Sequence, residues 1–192
     1  MRPTIRSSCR AYGTRLTSFV MFLEPIIRAA VAQDAEQIAA LGMQVWLHTY
    51  ATAGVSREIA QYVLEEFTAA KMTLAIESTS KLLVVAETPE NIVGYAVAAI
   101  GNVCPSRPAM PVELATLYVQ EHFKGQGIGS ALLSEVEHLA QRSGTGLWIA
   151  VNALNYLAIE FYAKRKYIRV GTTYFELGSK KHENHVLIRQ DA

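Results

Sequence analysis

Apolar positions along the chain follow two rhythms, and each switch between them marks a new element. Ile26 to Ala29 has the composition of a short strand. From Asp34 the spacing becomes helical, with Asp34 as the cap and Ile38, Leu41 and Val45 on one face. Ser56 opens a second helix, whose buried side is expected to be Ile59, Val63, Leu64 and Phe67, with Glu65, Glu66 and Lys71 towards solvent. Lys81–Glu87 and Ile92–Gly101 read as strands of a hairpin turned by Pro89-Glu90-Asn91. Asn102 to Met110, with two prolines, reads as a loop.

The centre of the chain is Pro111 to Gly144. Val112, Leu114, Leu117 and Val119, with Tyr118 among them, predict a strand. Lys124-Gly125-Gln126-Gly127-Ile128-Gly129 follows, and then Ile128, Leu132, Val136, Leu139 and Ala140 recur at helical spacing. Three alternate glycines at a helix start give up much backbone entropy, so something there requires bare backbone. Such a turn offers free N–H groups and the positive end of the helix dipole, which together suit phosphate. A plain glycine-rich turn is the alternative. Further on, Gly146–Val151 is a continuous apolar strand of the kind buried on both faces. Asn155–Lys166 reads as a helix carrying Ala158, Phe161 and Tyr162, and Tyr167–Leu177 as a long strand. Gly178–Asn184 is expected to turn the chain into a closing strand, His185–Arg189. No repeat or linker interrupts this order after Pro25, and it describes an α/β layered domain with a mixed sheet.

Composition narrows the function. With 192 residues, 51% of them hydrophobic, the chain can bury a substantial core. No apolar run reaches the roughly 18 residues of a spanning helix, so no membrane partner is expected. Residues 1–23 hold Arg2, Arg6, Arg10 and Arg15 and no acid. Without those four the chain has 14 basic against 17 acidic residues, a net charge of about −3. That is no nucleic-acid footprint. Two cysteines, Cys9 and Cys104, make no disulfide framework and point to a reduced, cytoplasmic setting. Residues 1–24 are therefore read as an N-terminal extension outside a domain of residues 25–192. Their Arg- and Ser-rich composition is shared with transit peptides; an extended start, with the protein proper beginning near Met21, is the other reading.

Three kinds of phosphate loop have to be separated. The Walker pattern fails because Lys124 precedes the glycines, and the dinucleotide fingerprint fails because Ser130 stands where its third glycine belongs. Lys124-x-x-Gly127-x-Gly129, placed after Leu117-Tyr118-Val119, resembles the pyrophosphate loop of the GCN5-related N-acetyltransferases (GNAT). Asn155-x-x-Ala158-x-x-Phe161-Tyr162 resembles a second segment of that family, and the element order matches as well. More narrowly, Trp46-x-x-Thr49-Tyr50, Tyr62–Phe67 and Tyr174–Gly178 look like the bacterial polyamine (spermidine/spermine)-type enzymes. Departures are Lys124 where Arg or Gln is usual, His122 where proline is frequent, and Lys166-Tyr167 in place of Gly-Phe.

The resemblance implies a mixed, mostly antiparallel sheet flanked by helices on both faces. It implies acetyl transfer from acetyl-CoA to a primary amine of a small molecule or peptide, by direct attack in a ternary complex, and it allows a homodimer. Lys124, Gly125, Gln126, Gly127, Ile128, Gly129 and Ser130 would hold the pyrophosphate. The Leu117, Tyr118 and Val119 backbone, with Asn155 and Ala158, would meet the pantetheine arm; Asn155 could equally cap its helix. Tyr162 corresponds to the tyrosine that serves the leaving thiolate, its alternative being a place in the core. Glu113 is the first choice for the base, with His122 and His48 as alternatives, and Trp46 and Tyr50 would line the acceptor pocket. No metal is implied, and Cys104, without a paired histidine, is no nucleophile. A non-catalytic coenzyme A-binding sensor would share the phosphate loop. A nucleotide hydrolase is excluded by the missing Walker spacing and metal carboxylates.

Overall fold

Four strands that succeed one another in the chain build one side of the sheet. In the computed structural model, which describes residues 25–142 and 144–190, β1 (Ile26–Ala29), β2 (Lys81–Glu87), β3 (Ile92–Ile100) and β4 (Val112–Val119) pair antiparallel in that order. The other side is β5 (Leu147–Asn152), β7 (Lys180–Arg189) and β6 (Tyr167–Leu177), giving a seven-stranded sheet of order β1-β2-β3-β4-β5-β7-β6. The expected extension, residues 1–24, lies outside the described residues.

The two sides meet at one parallel joint. β4 and β5 share three register pairs, Val112↔Leu147, Glu113↔Trp148 and Leu114↔Ile149. Ala115 is then an extra residue, because Leu114 faces Ala98 of β3 while Thr116 faces Val97. Such a bulge bends and twists its strand, and beyond it β4 and β5 no longer pair. β4 keeps its partner β3 up to Val119, so its β5-facing edge from Ala115 to Val119 carries unpaired backbone groups.

Helices cover both faces. α4 (Ile128–Arg142) and α5 (Tyr156–Ala163) lie on one, where Leu132, Leu133, Val136 and Ala140 pack with Val93, Ala96, Leu114 and Ile149. α1 (Ala35–Tyr50) and α3 (Ala69–Ile76) lie on the other, with Ile38, Leu41 and Val45 against Val85 and Tyr95. α2 (Arg57–Glu66) follows α1, its Ser56 hydroxyl accepting from Ile59 N at 3.3 Å. No helix among the described residues is long and apolar enough to cross a membrane.

Several elements differ from the sequence reading. α3 was not expected: Thr68 caps it by accepting from Lys71 N, but lysine at that position closes no capping box and no residue of the helix is fully buried. Leu64 is 65% exposed, and Tyr62 turns inward in its place. β7 begins at Lys180, not His185, because Leu177 pairs directly with Lys180 around Gly178-Ser179, with Gly178 at φ 59°. The helix after Asn155 ends at Ala163, and Lys166 itself takes the left-handed conformation, φ 64°, where a glycine would be usual.

Asp34 also departs from its expected role. It stands before α1, but its carboxylate makes no cap there; it binds Val31 N at 2.8 Å and Arg28 at 2.7 and 3.0 Å. Arg28 in turn reaches Glu87, so one guanidinium ties β1 to β2 and to the start of α1. The hydrogen bond from Arg28 outweighs burial and holds the Asp34 carboxyl below the usual carboxylate range. A depressed native pKa means that this stabilisation is complete above the ordinary carboxylate range and disappears as pH falls through the native value. Asp34→Asn, which leaves Arg28 with Glu87 as its one carboxylate, is expected to cost about 2 kcal/mol at pH 7. Urea unfolding at pH 7 and pH 3 checks this: the gap between variant and wild type must shrink at the lower pH.

Candidate active site

The turn between β4 and α4 is built to leave its amides free. Gly125 and Gly127 have φ of 77° and 85°, and a Cβ at either would meet nothing within 4 Å, so the requirement is conformational. The first amide hydrogen bonds of the helix run from Ser130 N and Ala131 N to Gly127 O. Upstream of them, the N–H groups of Gln126, Gly127, Ile128 and Gly129 find no acceptor among the described residues. Four successive donors at a helix start fit a diphosphate. Gly129 differs in that it needs no left-handed backbone, and a Cβ there would touch α5, 3.4 Å from Phe161 Cε2. Lys124, expected to supply charge, pairs with Glu121 at 2.6 Å, which also binds His48 at 3.2 Å.

Beside the turn, the unpaired edge of β4 carries Leu117, Tyr118 and Val119. Across the opening, Asn155 caps α5 by accepting from Ala158 N at 3.1 Å. Tyr162, on α5, is 6% exposed and packs edge-on to Phe161 and Tyr167. The hydroxyls of Tyr50, Tyr62, Tyr95, Tyr118 and Tyr162 lie within electrostatic reach of Tyr118 or of one another. Burial dominates at each: it raises Tyr118 and Tyr162 well above the ordinary phenol value and Tyr62 to about 12. Burial also raises Tyr50, against a smaller opposing pull from the Asn155 amide beside it. All are therefore neutral phenols at physiological pH, able to donate a proton.

An aromatic wall continues from this cluster. Trp46 and Tyr50 have ring centroids 5.0 Å apart, Trp46 and Tyr62 4.9 Å, Tyr62 and Phe175 5.5 Å, and Phe175 and His182 6.5 Å. On the same face of β7, His182 Nε2 and Asn184 Oδ1 are buried without a hydrogen-bond partner among the described residues. Buried polar atoms of this kind are rare and mark where a ligand or water belongs.

Similarity to known proteins decides the family. The sequence model of the acetyltransferase (GNAT) family matches residues 43–167. The chain belongs to that family. Uncharacterized N-acetyltransferases of Mycobacterium bovis and Mycobacterium tuberculosis are each 28% identical over 158 residues, covering 82% of this chain and 97% of theirs. Among solved structures, the PaiA N-acetyltransferase of Thermoplasma acidophilum in complex with coenzyme A superposes with a TM-score of 0.68 at 20% identity, over 87% of this chain and 99% of that one. Arabidopsis thaliana NAA60 with a bisubstrate analogue gives a TM-score of 0.65 at 15% identity, over 85% and 95%. The fold is therefore the GNAT fold, and the acetyl donor of this N-acetyltransferase is acetyl-CoA.

Within that frame the candidate bases stand apart. Glu113 lies in the paired part of β4, two residues before the bulge, and accepts from Asn102 Nδ2 at 2.8 Å. The Asn102 carbonyl also receives the Trp148 indole at 2.8 Å, which fixes this corner beside the paired joint of β4 and β5. His48 and His122 are exposed and line a hollow of about 240 Å³ with Gln44, Val45, Val119, Glu121 and Lys124, at the turn end of the β4 edge. Sequence reasoning missed His182, Asn184 and Arg165. The first two look like turn residues until β7 is seen to start at Lys180. Arg165 carries no signal beyond its place after Phe161-Tyr162.

Proposed function

We propose that this acetyltransferase acetylates a primary amine of a small molecule or peptide by direct attack within a ternary complex. The observation that carries this reading is the meeting of three features at the β4–β5 opening: free turn amides, neutral buried phenols and an aromatic wall with unpartnered polar atoms. Bound acetyl-CoA supplies an acyl group activated as a thioester. The amides of Gln126 to Gly129 hold its diphosphate, and the β4 edge at Leu117 to Val119 holds the amide-bearing arm. Tyr162 donates its proton to the departing thiolate, a role suited to a phenol that burial keeps neutral. Glu113 accepts the ammonium proton of the acceptor through water, since only the free amine has a lone pair.

Trp46 and Tyr50 form the near side of the acceptor pocket, and His182 Nε2 and Asn184 Oδ1 are its polar contacts. Residues 25–192 constitute the catalytic unit, acting in the cytoplasm, with a homodimer and a polyamine-like acceptor as the finer readings. A thiol-release screen of acetyl-CoA against polyamines, amino acids, aminoglycosides and peptide N-termini tests the activity. Release with no acceptor of the panel above thioester hydrolysis, in a protein that binds coenzyme A, would favour the sensor. With an acceptor in hand, Glu113→Gln is expected to lower kcat/KM at neutral pH by on the order of 100-fold. An unchanged rate sinks Glu113 as the base.

A further inference from the structure

Among the described residues three arginines are half-buried, and two of them have carboxylate partners: Arg28 with Asp34 and Glu87, and Arg189 with Glu137. The third, Arg165, has none among the described residues. It stands just beyond α5, where Nη1 donates to the Phe161 carbonyl at 2.8 Å and Nη2 donates to the Ser130 hydroxyl. Its Cζ lies 3.6 Å from the centroid of the Phe161 ring. A carbonyl, a hydroxyl and a ring face hold the guanidinium in place without neutralising it. A fixed, half-desolvated cation of this kind is suited to a phosphate, which it can bind through two N–H groups at once.

Its position relative to the turn makes that use specific. Ser130 is the first residue of the helix start whose own N–H is already taken, by Gly127 O at 3.0 Å. The free amides therefore end at Gly129, and the cationic Arg165–Ser130 pair begins at the next residue. Lys124 does not compete for this role, since Glu121 holds its ammonium at 2.6 Å. Coenzyme A carries three phosphates: a diphosphate, which matches the four amides, and a third on the 3′-hydroxyl of its ribose.

We propose that Arg165, braced by Ser130 and Phe161, binds the 3′-phosphate and makes the enzyme selective for coenzyme A over dephospho-coenzyme A. This rests on the acetyl-CoA reading of the turn, and the test separates the two. Calorimetry with coenzyme A and dephospho-coenzyme A on the wild type is expected to give a preference of roughly 10- to 100-fold for the phosphorylated form, the scale of a charge-assisted pair. Arg165→Gln, which keeps a polar planar group over the Phe161 ring, is expected to bring coenzyme A down to the affinity of dephospho-coenzyme A. Arg165→Lys is expected to restore part of the preference, and raising the salt to shrink it. Thermal melts identify any variant that has lost its fold, in which case the wild-type preference and its salt dependence decide. Equal binding of both ligands by the wild type overturns the proposal while leaving the diphosphate site standing. Equal loss of both ligands in a folded Arg165→Gln also overturns it, and moves Arg165 to the diphosphate. Failure of the wild type to bind either ligand removes the turn assignment itself.

Discussion

Tyr162→Phe is expected to lower kcat by on the order of 100- to 10,000-fold, with the affinity for coenzyme A left nearly intact. The hydroxyl is the only group removed. The ring contacts with Phe161 and Tyr167, at centroid distances of 5.2 and 5.8 Å, survive. If the phenol protonates the thiolate, the loss belongs to the transition state, so kcat and kcat/KM fall together while KM for acetyl-CoA stays put. Burial keeps this phenol protonated well past neutral pH, so the wild-type rate has no alkaline limb from Tyr162 below about pH 10. A drop of only about twofold in kcat would leave Tyr162 as packing and give the proton to water. Equal damage to rate and melting temperature would mark a structural hydroxyl.

Gly127→Val has the largest expected effect on binding. At φ 85° a β-branched residue is strained whatever the space around it, and here the space is open. The turn must therefore rearrange, which moves the four amides off a common target. Strain of about 1–3 kcal/mol converts to a roughly 5- to 150-fold weaker affinity for coenzyme A. Gly127→Ala is expected to lie between the two. Calorimetry on folded variants reads this directly, and unchanged affinity for Gly127→Val would end the assignment of the turn to phosphate. Gly129→Val should behave differently, because its cost arises against the Phe161 ring, 3.4 Å from the added carbon. It is expected to lower the melting temperature as well as the affinity.

What the sequence disclosed, and what it withheld, follows the reach of the forces involved. The strand–turn–helix unit from Val112 to Arg142 was legible because alternation, glycine spacing and helical periodicity are all local. β1, β2 and β6 have the expected bounds for the same reason. α3 was not legible: its alanines and Met72 satisfy either state, and its contacts come from α1 and β2. The Lys180–Asn184 half of the hairpin was missed because its polar residues imitate a loop, whereas their backbone pairs in register with Thr173–Leu177. Lys166 shows a different limit. Family habit reserves that position for glycine, yet the Lys166 N–H bonds to Ala163 O and its carbonyl accepts from Gln190 N at 2.9 Å, which holds a lysine in the same conformation. The site divides along the same line. Residues within one motif could be named in advance, while His182, Asn184 and the Arg165–Ser130 contact exist only once distant segments meet.

The short joint between β4 and β5 also sets the order in which this chain can acquire structure. Strands β1 to β4 are neighbours in the sheet in the order of synthesis, and β6 and β7 close on each other through a two-residue turn. The β2–β4 meander and the β6–β7 hairpin can each condense from contacts closer in sequence than those of the joint, whereas the three parallel pairs between Val112–Leu114 and Leu147–Ile149 must wait for α4 to span the gap. The last interactions to form are then the first to open. Amide hydrogen exchange is expected to step down in protection across this seam, with β2 and β3 most protected and the Leu147–Asn152 side released in partial opening. The opening proposed to admit the substrates is thus also expected to be the line along which the native molecule breathes.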